Sequence, residues 1–306
     1  LGRLKAKVTS QNVSKQIAKA LEGAAERAGI TASELLELAV PTQGLGADAR
    51  REIPVGDHTA VLSIEGDEAE LSWRTPDGRL TAKPPASIAE TQKAAVARVK
   101  DELKELRKAL AIERGRIEDL FLEGREWAFA DWRARYLDHP LTRTIGRRLI
   151  WTFVENGVET SLIAAGDGFE TPDGRASVPG ETARVRLWHP IDAREAPIAA
   201  WRTRLLEGPV RQPFKQAFRE VYLLTPAEEE TELYSNRFAA HILRYPQVRA
   251  LMTARRWGSN FLGPFDGGDT GVAKRDFPSH GIRAEFWYDQ LRAEFGTEVV
   301  EHCTTD

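Results

Sequence analysis

The chain has 306 residues, of which 42% are hydrophobic and 29% are charged, a composition typical of one large globular domain or two ordinary ones. Its net charge of −3 excludes a chain-wide basic field for binding nucleic acid or acidic membranes. The single cysteine, Cys303, excludes an internal disulfide framework and a zinc site built on paired cysteines. No apolar run approaches the roughly 20 residues that span a bilayer, so we expect no membrane partner and a cytoplasmic location.

Both ends of the sequence are atypical of a complete protein. The chain begins with Leu1 rather than methionine, and it ends a few residues after a strand-like stretch at residues 297–300. We therefore expect it to be a piece of a longer protein, and the rest of that longer chain is the first partner that the sequence predicts.

The N-terminal part of the chain predicts a small helical hairpin followed by a β-meander. Residues 11–28 carry apolar side chains at helical spacing, and Thr31 with Glu34 forms a capping box for a second helix. Residues 58–74 alternate apolar and polar side chains around a tight turn, which is typical of antiparallel strands. We predict a first domain over residues 1–86.

The remaining residues, 87–306, predict a second α+β domain that is truncated at its C-terminal end. It begins with a long helix dense in Lys and Glu, and Asn156-Gly157 favours a type I′ hairpin between two strands. Helical spacing dominates the later part of the sequence. The predicted fold class is therefore α+β, with two small antiparallel β-meanders packed with helices, a helical hairpin at the N-terminus and a helical C-terminal half.

One five-residue turn occurs twice between predicted strands. The letters TPDGR stand at residues 75–79 and again at residues 171–175. Proline presets the first turn position and Asp-Gly suits the next two, so the segment is a favourable turn in any context. The repetition indicates either a duplication or two separate meanders that share this turn. We favour the second interpretation because little outside the turn matches.

The densest cluster of charged and aromatic residues lies at residues 211–237. Pro213 suits the first turn of a helix, and the apolar residues that follow it have helical spacing. Thr225 and Glu228 form a capping box around a proline, which predicts a second helix that continues through Leu243. The tract is thus predicted to be two helices with opposite charges facing each other.

The basic residues of this tract are candidates for binding a phosphate or carboxylate, because guanidinium groups bind planar anions bidentately. The anion-binding candidates are Lys215, Arg219, Arg237 and Arg211. The further polar candidates are Glu220, His241, His189 and Asn236. The structural alternative is that Glu220 and the glutamates at 228–230 pair with these cations between two helices, and the charge pattern favours it.

Sequence motifs for catalysis or metal binding are absent or weak. There is no P-loop, no GxGxxG, no GxSxG and no HExxH motif, and the six histidines have no metal-ligand spacing, so we expect no metal site and assign no cofactor. The Asp-Gly-Gly-Asp-Thr-Gly stretch at residues 266–271 predicts a surface loop. Five tryptophans have apolar neighbours, which favours core packing over stacking on nucleobases. They are Trp127, Trp132, Trp151, Trp188 and Trp201.

Five short motifs, in this order, resemble the MolR-like family of bacterial proteins. They are RRLIW (147–151), RLWHP (186–190), QPFKQ (212–216), REVY (219–222) and SNRFA (235–239). The resemblance covers most of the chain from Ile88 onward. It implies a domain of unknown function in proteins that often carry a WGR domain elsewhere, and the family name implies a link to molybdate-dependent regulation. It implies no catalytic residues.

Three functions are open on these observations. The first is a non-enzymatic regulatory module of a larger MolR-like protein, which binds a partner or an anionic ligand such as a nucleotide, an oxyanion or a nucleic acid. The second is an enzyme that acts on a nucleotide or phosphorylated substrate through Lys215, Arg219, Arg237 and His241. The third is a structural scaffold. An enzyme needs these groups in one concave pocket, a binding module needs them exposed on one face, and a scaffold pairs and buries them.

Overall fold

The computed structural model describes residues 11–237, 239–259, 270–277, 280–292 and 298–301. The backbone divides into two compact units, Leu1–Glu220 and Val221–Asp306. The described residues form helices and three antiparallel sheets, so the predicted α+β class is confirmed. The predicted division after residue 86 falls within the first unit and stays a prediction. None of the helices in the described ranges is both long enough and apolar enough to cross a membrane.

The first unit opens with the helical hairpin that the sequence predicts. Its helices are α1 (Gln11–Ala28) and α2 (Ala32–Leu38). Gly29 between them adopts a φ of +68°, the left-handed conformation that glycine reaches without a Cβ clash. The Glu34 N–H donates to Thr31 Oγ1 at 3.1 Å, and the Thr31 N–H donates to Glu34 Oε2 at 2.8 Å. The predicted capping box therefore forms at the start of α2.

A four-stranded antiparallel meander comes next and pairs its strands in chain order. The strands are β1 (Arg50–Val55), β2 (His58–Glu65), β3 (Glu68–Arg74) and β4 (Leu80–Thr81). Two helices follow it, α3 (Ala86–Thr91) and the long α4 (Lys93–Asp119). Val96 and Val99 on one face of α4 share a buried cluster with Trp73 of β3. The apolar stripe of the long polar helix is thus buried against the sheet and its lysines are exposed, whereas Glu113 is buried and pairs with Arg116.

The second sheet has six strands in the order β5-β10-β6-β7-β8-β9. The strands are β5 (Glu126–Ala128), β6 (Ile150–Glu155), β7 (Val158–Ala165), β8 (Gly168–Glu170), β9 (Ala176–Ser177) and β10 (Arg184–Leu187). The helices around it are α5 (Phe129–Arg133), a π-helix (Ala134–Asp138), α6 (Arg143–Gly146) and α7 (Glu195–Glu207). Two short 3₁₀ segments also belong to this region, Leu120–Leu122 and Pro190–Asp192. Asn156 and Gly157 have φ values of +50° and +78°, as the predicted type I′ turn requires.

The two meanders share one pairing register. The β1–β2 ladder begins with Arg50 opposite Ser63, and the β6–β7 ladder begins with Ile150 opposite Ile163. Every pair of the second ladder is offset by 100 residues from a pair of the first. Because the register of a hairpin is set jointly by strand length and turn geometry, the match extends well beyond the TPDGR letters.

The turns of the two meanders are also equivalent. Gly66 and Gly166 begin the second turn of each meander, both with a positive φ (+58° and +54°) and both followed by aspartate. Thr75 and Thr171 each donate the hydroxyl to the aspartate two positions later, and each also binds the carbonyl four positions later. These shared details favour duplication over the interpretation that two separate meanders share a favourable turn.

A dense aromatic core lies beside the second sheet. The ring centroid of Trp132 lies 5.3 Å from that of Trp151 and 5.2 Å from that of Phe153, and Phe153 lies 5.2 Å from Phe169. The five tryptophans of interest are all buried, at 5% exposure or less: Trp127, Trp132, Trp151, Trp188 and Trp201. The prediction that these tryptophans pack in the core is confirmed.

The second unit contains a five-stranded sheet, so the predicted helical C-terminal half needs correction. The strand order is β11-β15-β14-β13-β12. The strands are β11 (Ile242–Arg244), β12 (Gly258–Ser259), β13 (Thr270–Phe277), β14 (Ile282–Arg292) and β15 (Glu298–Glu301), and the helices are α8 (Pro226–Thr231) and α9 (Tyr245–Ala254). The physical reason is visible in β14, whose IRAEFWY segment is rich in residues that favour a pleated sheet.

Candidate functional site

Residues 211–220 form a series of turns, so the helix predicted to begin at Pro213 is wrong. The reason is Gln216, whose fully buried side-chain amide forms hydrogen bonds with backbone groups of the second sheet and of the residue that follows β10. Its Oε1 accepts a hydrogen bond from the Ile150 N–H at 2.9 Å, and its Nε2 donates to the carbonyls of Ile150 and Trp188 at 2.8 and 2.9 Å. The tract therefore obtains its buried hydrogen bonds from the sheet rather than from a helical backbone.

Two of the predicted cations of the first unit, Lys215 and Arg219, are paired with carboxylates. Lys215 forms an exposed ion pair with Glu220, and that pairing lowers the pKa of Glu220. Arg219 Nη2 donates to Glu118 Oε1 at 2.7 Å, and its guanidinium lies 4.3 Å from the ring centroid of Phe121. Arg219 is thus a half-buried cation held between a carboxylate and an aromatic face.

His189 and Arg211 are the other candidates in the first unit. The Ile191 N–H donates to His189 Nδ1 at 2.9 Å, which makes His189 the cap of a 3₁₀ turn. Burial and then the nearby charge of Arg219 lower the pKa of His189. The exposed Arg211 contributes its backbone carbonyl, which accepts a hydrogen bond from Arg148 Nη1 at 2.9 Å. Both residues thus have a defined structural role in this unit.

The remaining candidates lie in the second unit. Arg237 Nη2 donates to Glu228 Oε2 at 2.6 Å. The carbonyl of Asn236 accepts a hydrogen bond from the Ala239 N–H at 3.1 Å, and His241 Nδ1 lies 3.2 Å from the Ala239 carbonyl oxygen. These residues follow α8 in a compact turn whose one strong cation, Arg237, is already held by a carboxylate.

The second predicted helix of the tract starts where expected but is much shorter. Thr225 and Glu228 form the predicted capping box, with the Glu228 N–H donating to Thr225 Oγ1 at 3.3 Å. Helix α8 then ends at Thr231, because Glu232 adopts a left-handed φ of +58°. Residues 242–244 belong to strand β11, so the predicted continuation through Leu243 is wrong.

The eight predicted site residues are therefore divided between the two units. Lys215, Arg219, Arg211, Glu220 and His189 lie in the first, and Arg237, Asn236 and His241 lie in the second. Lys215, Arg219 and Arg237 each pair with a glutamate of their own unit, which is the arrangement expected from the structural alternative. The anion-binding role of these residues stays a prediction.

A pocket outside the tract concentrates arginine side chains, and we call it the arginine pocket. Its volume is about 310 Å³. Its charged lining residues are Arg133, Arg143, Arg147, Asp138 and Asp167. Apolar lining comes mainly from Leu137, Ala164 and Phe169. The balance is three positive charges against two negative ones beside an apolar wall, which suits a small ligand that carries an anionic group.

The three arginines of the pocket have different partners. Arg133 Nε lies 3.5 Å from Asp138 Oδ2, and Arg147 Nη2 donates to the carbonyl of Gly166 at the hairpin tip. Within the part of the chain that the structure describes, the half-buried Arg143 guanidinium has no hydrogen-bond or ion-pair partner. Two arginines are thus oriented by the protein, and Arg143 has its donors available for a ligand.

The backbone around the pocket is unusual and tightly packed. The π-helix passes directly under α6, and a Cβ added at Gly146 would lie 2.3 Å from the carbonyl oxygen of Tyr136. Only a glycine fits at this point of α6, and Arg143 stands at the start of the same short helix. Single π-helical turns occur frequently at functional sites.

Sequence analysis did not identify this pocket because its residues are far apart along the chain. One local signal was available, since Arg143 and Arg147 are four residues apart and like charges at that spacing destabilise a solvated helix. Asp167 belongs to a hairpin tip in the second sheet, and no local pattern associates it with either arginine.

Metal ligands are not gathered in the residues that the structure describes. Among them, no group of three or more His, Cys, Asp or Glu side chains is arranged to hold a metal ion. Residues 266–269 of the predicted surface loop, and Cys303, lie outside the described ranges.

Comparison with known proteins corrects the family resemblance. A family model described as "Domain of unknown function (DUF4132)" matches residues 78–257, which is more than half of the chain. A curated relative, "Uncharacterized protein YehI" of Escherichia coli (strain K12), is 24% identical over 220 residues, which cover 69% of this chain and 18% of the relative. The chain thus spans less than a fifth of that relative's length. No solved structure matches the chain at a significant level.

The resemblance to the MolR-like family is wrong, because the matching family model is a different one and the relative does not point to MolR-like proteins. The association with WGR domains and the link to molybdate were implied by that resemblance alone, so neither expectation is now supported. The five motifs behind the resemblance all lie within residues 78–257, the range that the DUF4132 model matches. The chain belongs to the DUF4132 family of domains of unknown function.

Proposed function

We propose that this chain is a non-enzymatic ligand-binding module of a longer regulatory protein, and that it binds an oxyanion-bearing ligand in the arginine pocket. The observation that carries the proposal is the state of the Arg143 side chain. Its half-buried guanidinium lines the pocket without a partner in the described residues, between Arg133 and Arg147. A guanidinium in this setting gains most from a phosphate or carboxylate, which it can bind through two parallel hydrogen bonds.

The two neighbouring arginines support this assignment. Arg147 is held by the Gly166 carbonyl, and Arg133 lies beside Asp138, so both side chains are positioned before a ligand arrives. Preorganised groups lose little conformational entropy on binding, which favours affinity. Asp138 and Asp167 limit the net positive charge, so the pocket favours a small ligand over a long polyanion.

The lining of the pocket favours binding over catalysis. Among the described residues that line it, there is neither a nucleophilic hydroxyl or thiol nor an imidazole. The polar groups proposed for an enzyme are divided between two units, and Lys215, Arg219 and Arg237 are engaged by carboxylates. A general acid–base pair needs groups within hydrogen-bond reach of one substrate position.

Thermal unfolding with anions tests the proposal. Inorganic phosphate, pyrophosphate and citrate are each compared with sodium chloride at equal ionic strength. A ligand that binds only the folded chain raises the Tm by roughly 5 to 10 °C at about one hundred times its Kd. We expect at least one of these anions to produce such a shift, and the Arg143→Gln variant to lose it.

The control is Arg194→Gln, which removes an exposed arginine that does not line the pocket. It should keep the full shift. The proposal is overturned if no anion exceeds sodium chloride, or if Arg143→Gln responds like the wild type. A shift that survives in Arg143→Gln but disappears in a Lys215→Ala, Arg219→Ala double variant would place the ligand in the tract at residues 211–220 instead.

A further inference from the structure

A glutamate of the N-terminal hairpin is buried in a cationic and aromatic site, which we call the glutamate cage. Its walls are Arg125, Arg135, Trp127 and Tyr136, and its occupant is Glu37 of α2. The Glu37 side chain is 1% exposed. Glu37 Oε2 lies 2.7 Å from Arg125 Nη2 and 3.4 Å from Arg135 Nη1, and Trp127 Nε1 donates to it at 3.4 Å.

The cage is built as a receptor for a carboxylate. The Arg125 guanidinium lies 5.1 Å from the ring centroid of Trp127, which fixes its plane. Burial raises the pKa of Tyr136, so its hydroxyl stays protonated. Tyr136 therefore contributes an uncharged side chain to the cage. The Arg125 and Arg135 side chains are only 13% and 21% exposed, and removing the carboxylate from a mostly buried ion pair is disfavoured. The cage therefore favours a carboxylate beside these two arginines.

The occupant lies on a helix whose apolar packing is mainly within the N-terminal hairpin, where α2 packs on α1. Glu37 is the only residue of α2 in the buried class, while Leu35 and Leu36 are half-buried and Leu38 is 56% exposed. Outside the hairpin, the tethers of α2 are polar, with Ser33 Oγ donating to both oxygens of Glu123 at 2.8 Å and Glu34 lying 3.2 Å from Arg125. The attachment of α2 to the rest of the first unit is thus largely polar.

The occupant and the cage also belong to different parts of the chain. All four wall residues lie within residues 78–257, which match the DUF4132 family, whereas Glu37 precedes that range. Within the described residues, Glu37 Oε1 and both Nη atoms of Arg125 are buried without a hydrogen bond, so the present ion pair leaves one acceptor and two donor nitrogens unused. A carboxylate with a better approach would satisfy the arginine more fully.

We propose that the glutamate cage is a recognition site for a helical peptide that presents a glutamate, and that α2 occupies it as an intramolecular ligand. A partner protein with an acidic helix binds by exchange: its glutamate replaces Glu37, and α2 is released from the surface of the first unit. The cage is filled before and after the exchange, so neither state contains unpaired buried arginines. This site is separate from the arginine pocket and does not depend on its ligand.

Chemical rescue in the full chain tests the cage as a carboxylate receptor. The Glu37→Ala variant empties the cage, and we expect its Tm to fall by about 10 °C because Arg125 and Arg135 each lose the nearer of their two carboxylate partners. Sodium acetate should then raise the Tm of the variant in a saturable way, above sodium chloride at equal ionic strength. The wild type, whose cage is full, should not show this difference.

The matched control is the double variant Glu37→Ala, Arg125→Gln, which should lose the acetate effect. If Glu37→Ala does not fold, the isosteric Glu37→Gln variant replaces it, and its expected behaviour is a lower Tm without rescue. A Tm unaffected by either change at Glu37, or an acetate effect that persists without Arg125, would overturn the proposal.

Peptide exchange in the wild-type chain tests the recognition step. A helical peptide with the sequence of residues 29–41 is added, and hydrogen exchange of the amides at 32–38 in the protein is followed. We expect exchange there to accelerate with peptide concentration, because the peptide displaces α2. The same peptide with glutamine at the position of Glu37, and with Glu34 kept, should have little effect. Equal acceleration by both peptides would contradict recognition of the carboxylate.

Discussion

At the scale of single residues, Lys215 and Arg237 pair with nearby glutamates that the charge pattern indicates, whereas other cations pair with glutamates that are distant in the sequence. Arg219 binds Glu118, 101 positions earlier, and stacks on Phe121. Glu37 reaches Arg125 and Arg135 across a similar separation. A charge run in a sequence therefore predicts that pairing occurs, and only the fold decides which residues pair.

Two half-buried histidines, His139 and His189, predict how stability responds to pH. Burial lowers the pKa of His139 and of His189 below the ordinary value of 6.5. Each Nδ1 accepts a backbone hydrogen bond, from Leu141 and Ile191 respectively, and protonation of Nδ1 would remove that acceptor. The neutral form of both rings is therefore the form that stabilises the folded chain.

We expect the free energy of unfolding to decrease as the pH falls from about 7 to about 5. Because the folded-state pKa of each histidine lies below the unfolded value of about 6.5, the unfolded chain binds more protons in this window. Urea unfolding at a series of pH values measures the effect. A His139→Gln, His189→Gln double variant should show a smaller pH dependence, and an unchanged slope in that variant would contradict the assignment.

At the scale of elements, apolar spacing predicted two helices in the tract at residues 211–243 that the structure replaces or shortens. The first is replaced by turns around Gln216, whose amide hydrogen bonds to the second sheet outweigh a short helix. The second begins at its capping box and ends at Thr231. Short helices are marginally stable by themselves, so tertiary contacts decide whether they form and where they end.

Two glycine substitutions should change the free energy of unfolding in opposite directions, because Gly146 lies at the close contact between α6 and the π-helix and Gly115 lies in open space on α4. A Cβ at Gly146 would lie 2.3 Å from the Tyr136 carbonyl oxygen, so we expect Gly146→Ala to lower the free energy of unfolding by about 1 to 3 kcal/mol or more. The control is Gly115→Ala in α4, where a Cβ meets nothing within 4 Å. It should stabilise the chain by about 0.5 to 1 kcal/mol. Chemical denaturation measures both, and equal effects would argue against the tight contact.

The Gly146→Ala variant also tests whether α6 positions Arg143 for binding an anion in the arginine pocket. Because Gly146 and Arg143 share α6, a displaced α6 moves the guanidinium that lines the arginine pocket. We expect folded Gly146→Ala protein to bind the anion more weakly than Gly115→Ala protein does. Titration calorimetry with the anion identified by thermal unfolding compares them, and equal affinities would show that α6 does not position the site.

At the scale of the whole molecule, two features organise the chain. The meanders β1–β4 and β6–β9 share their register and turns, which favours an internal duplication. The backbone also divides into the units Leu1–Glu220 and Val221–Asp306. The first unit contains both meanders, the aromatic core, the arginine pocket and the glutamate cage. The second unit has its own buried cluster around Val248, Met252, Ala273 and Tyr288.

The division predicts that residues 1–220 fold without the second unit. Their fully buried side chains include Trp73, Trp132, Trp151 and Trp201, so the first unit has its own core. We expect this fragment to unfold in one cooperative transition and to keep the near-ultraviolet circular dichroism of packed tryptophans. Retained helix content with no near-ultraviolet signal would instead indicate a molten state and a core that needs the second unit.

Local sequence patterns specify the short-range features of this protein. They predicted the helical hairpin, the two meanders, the TPDGR turns, the capping box at Thr225 and the burial of the tryptophans, because periodicity, turn residues and caps act over a few neighbouring positions. The sheet of the second unit, the partner of Arg219, the availability of Arg143 and the cage around Glu37 became visible in the folded chain alone. Those depend on contacts between residues far apart in the chain, which local patterns do not encode.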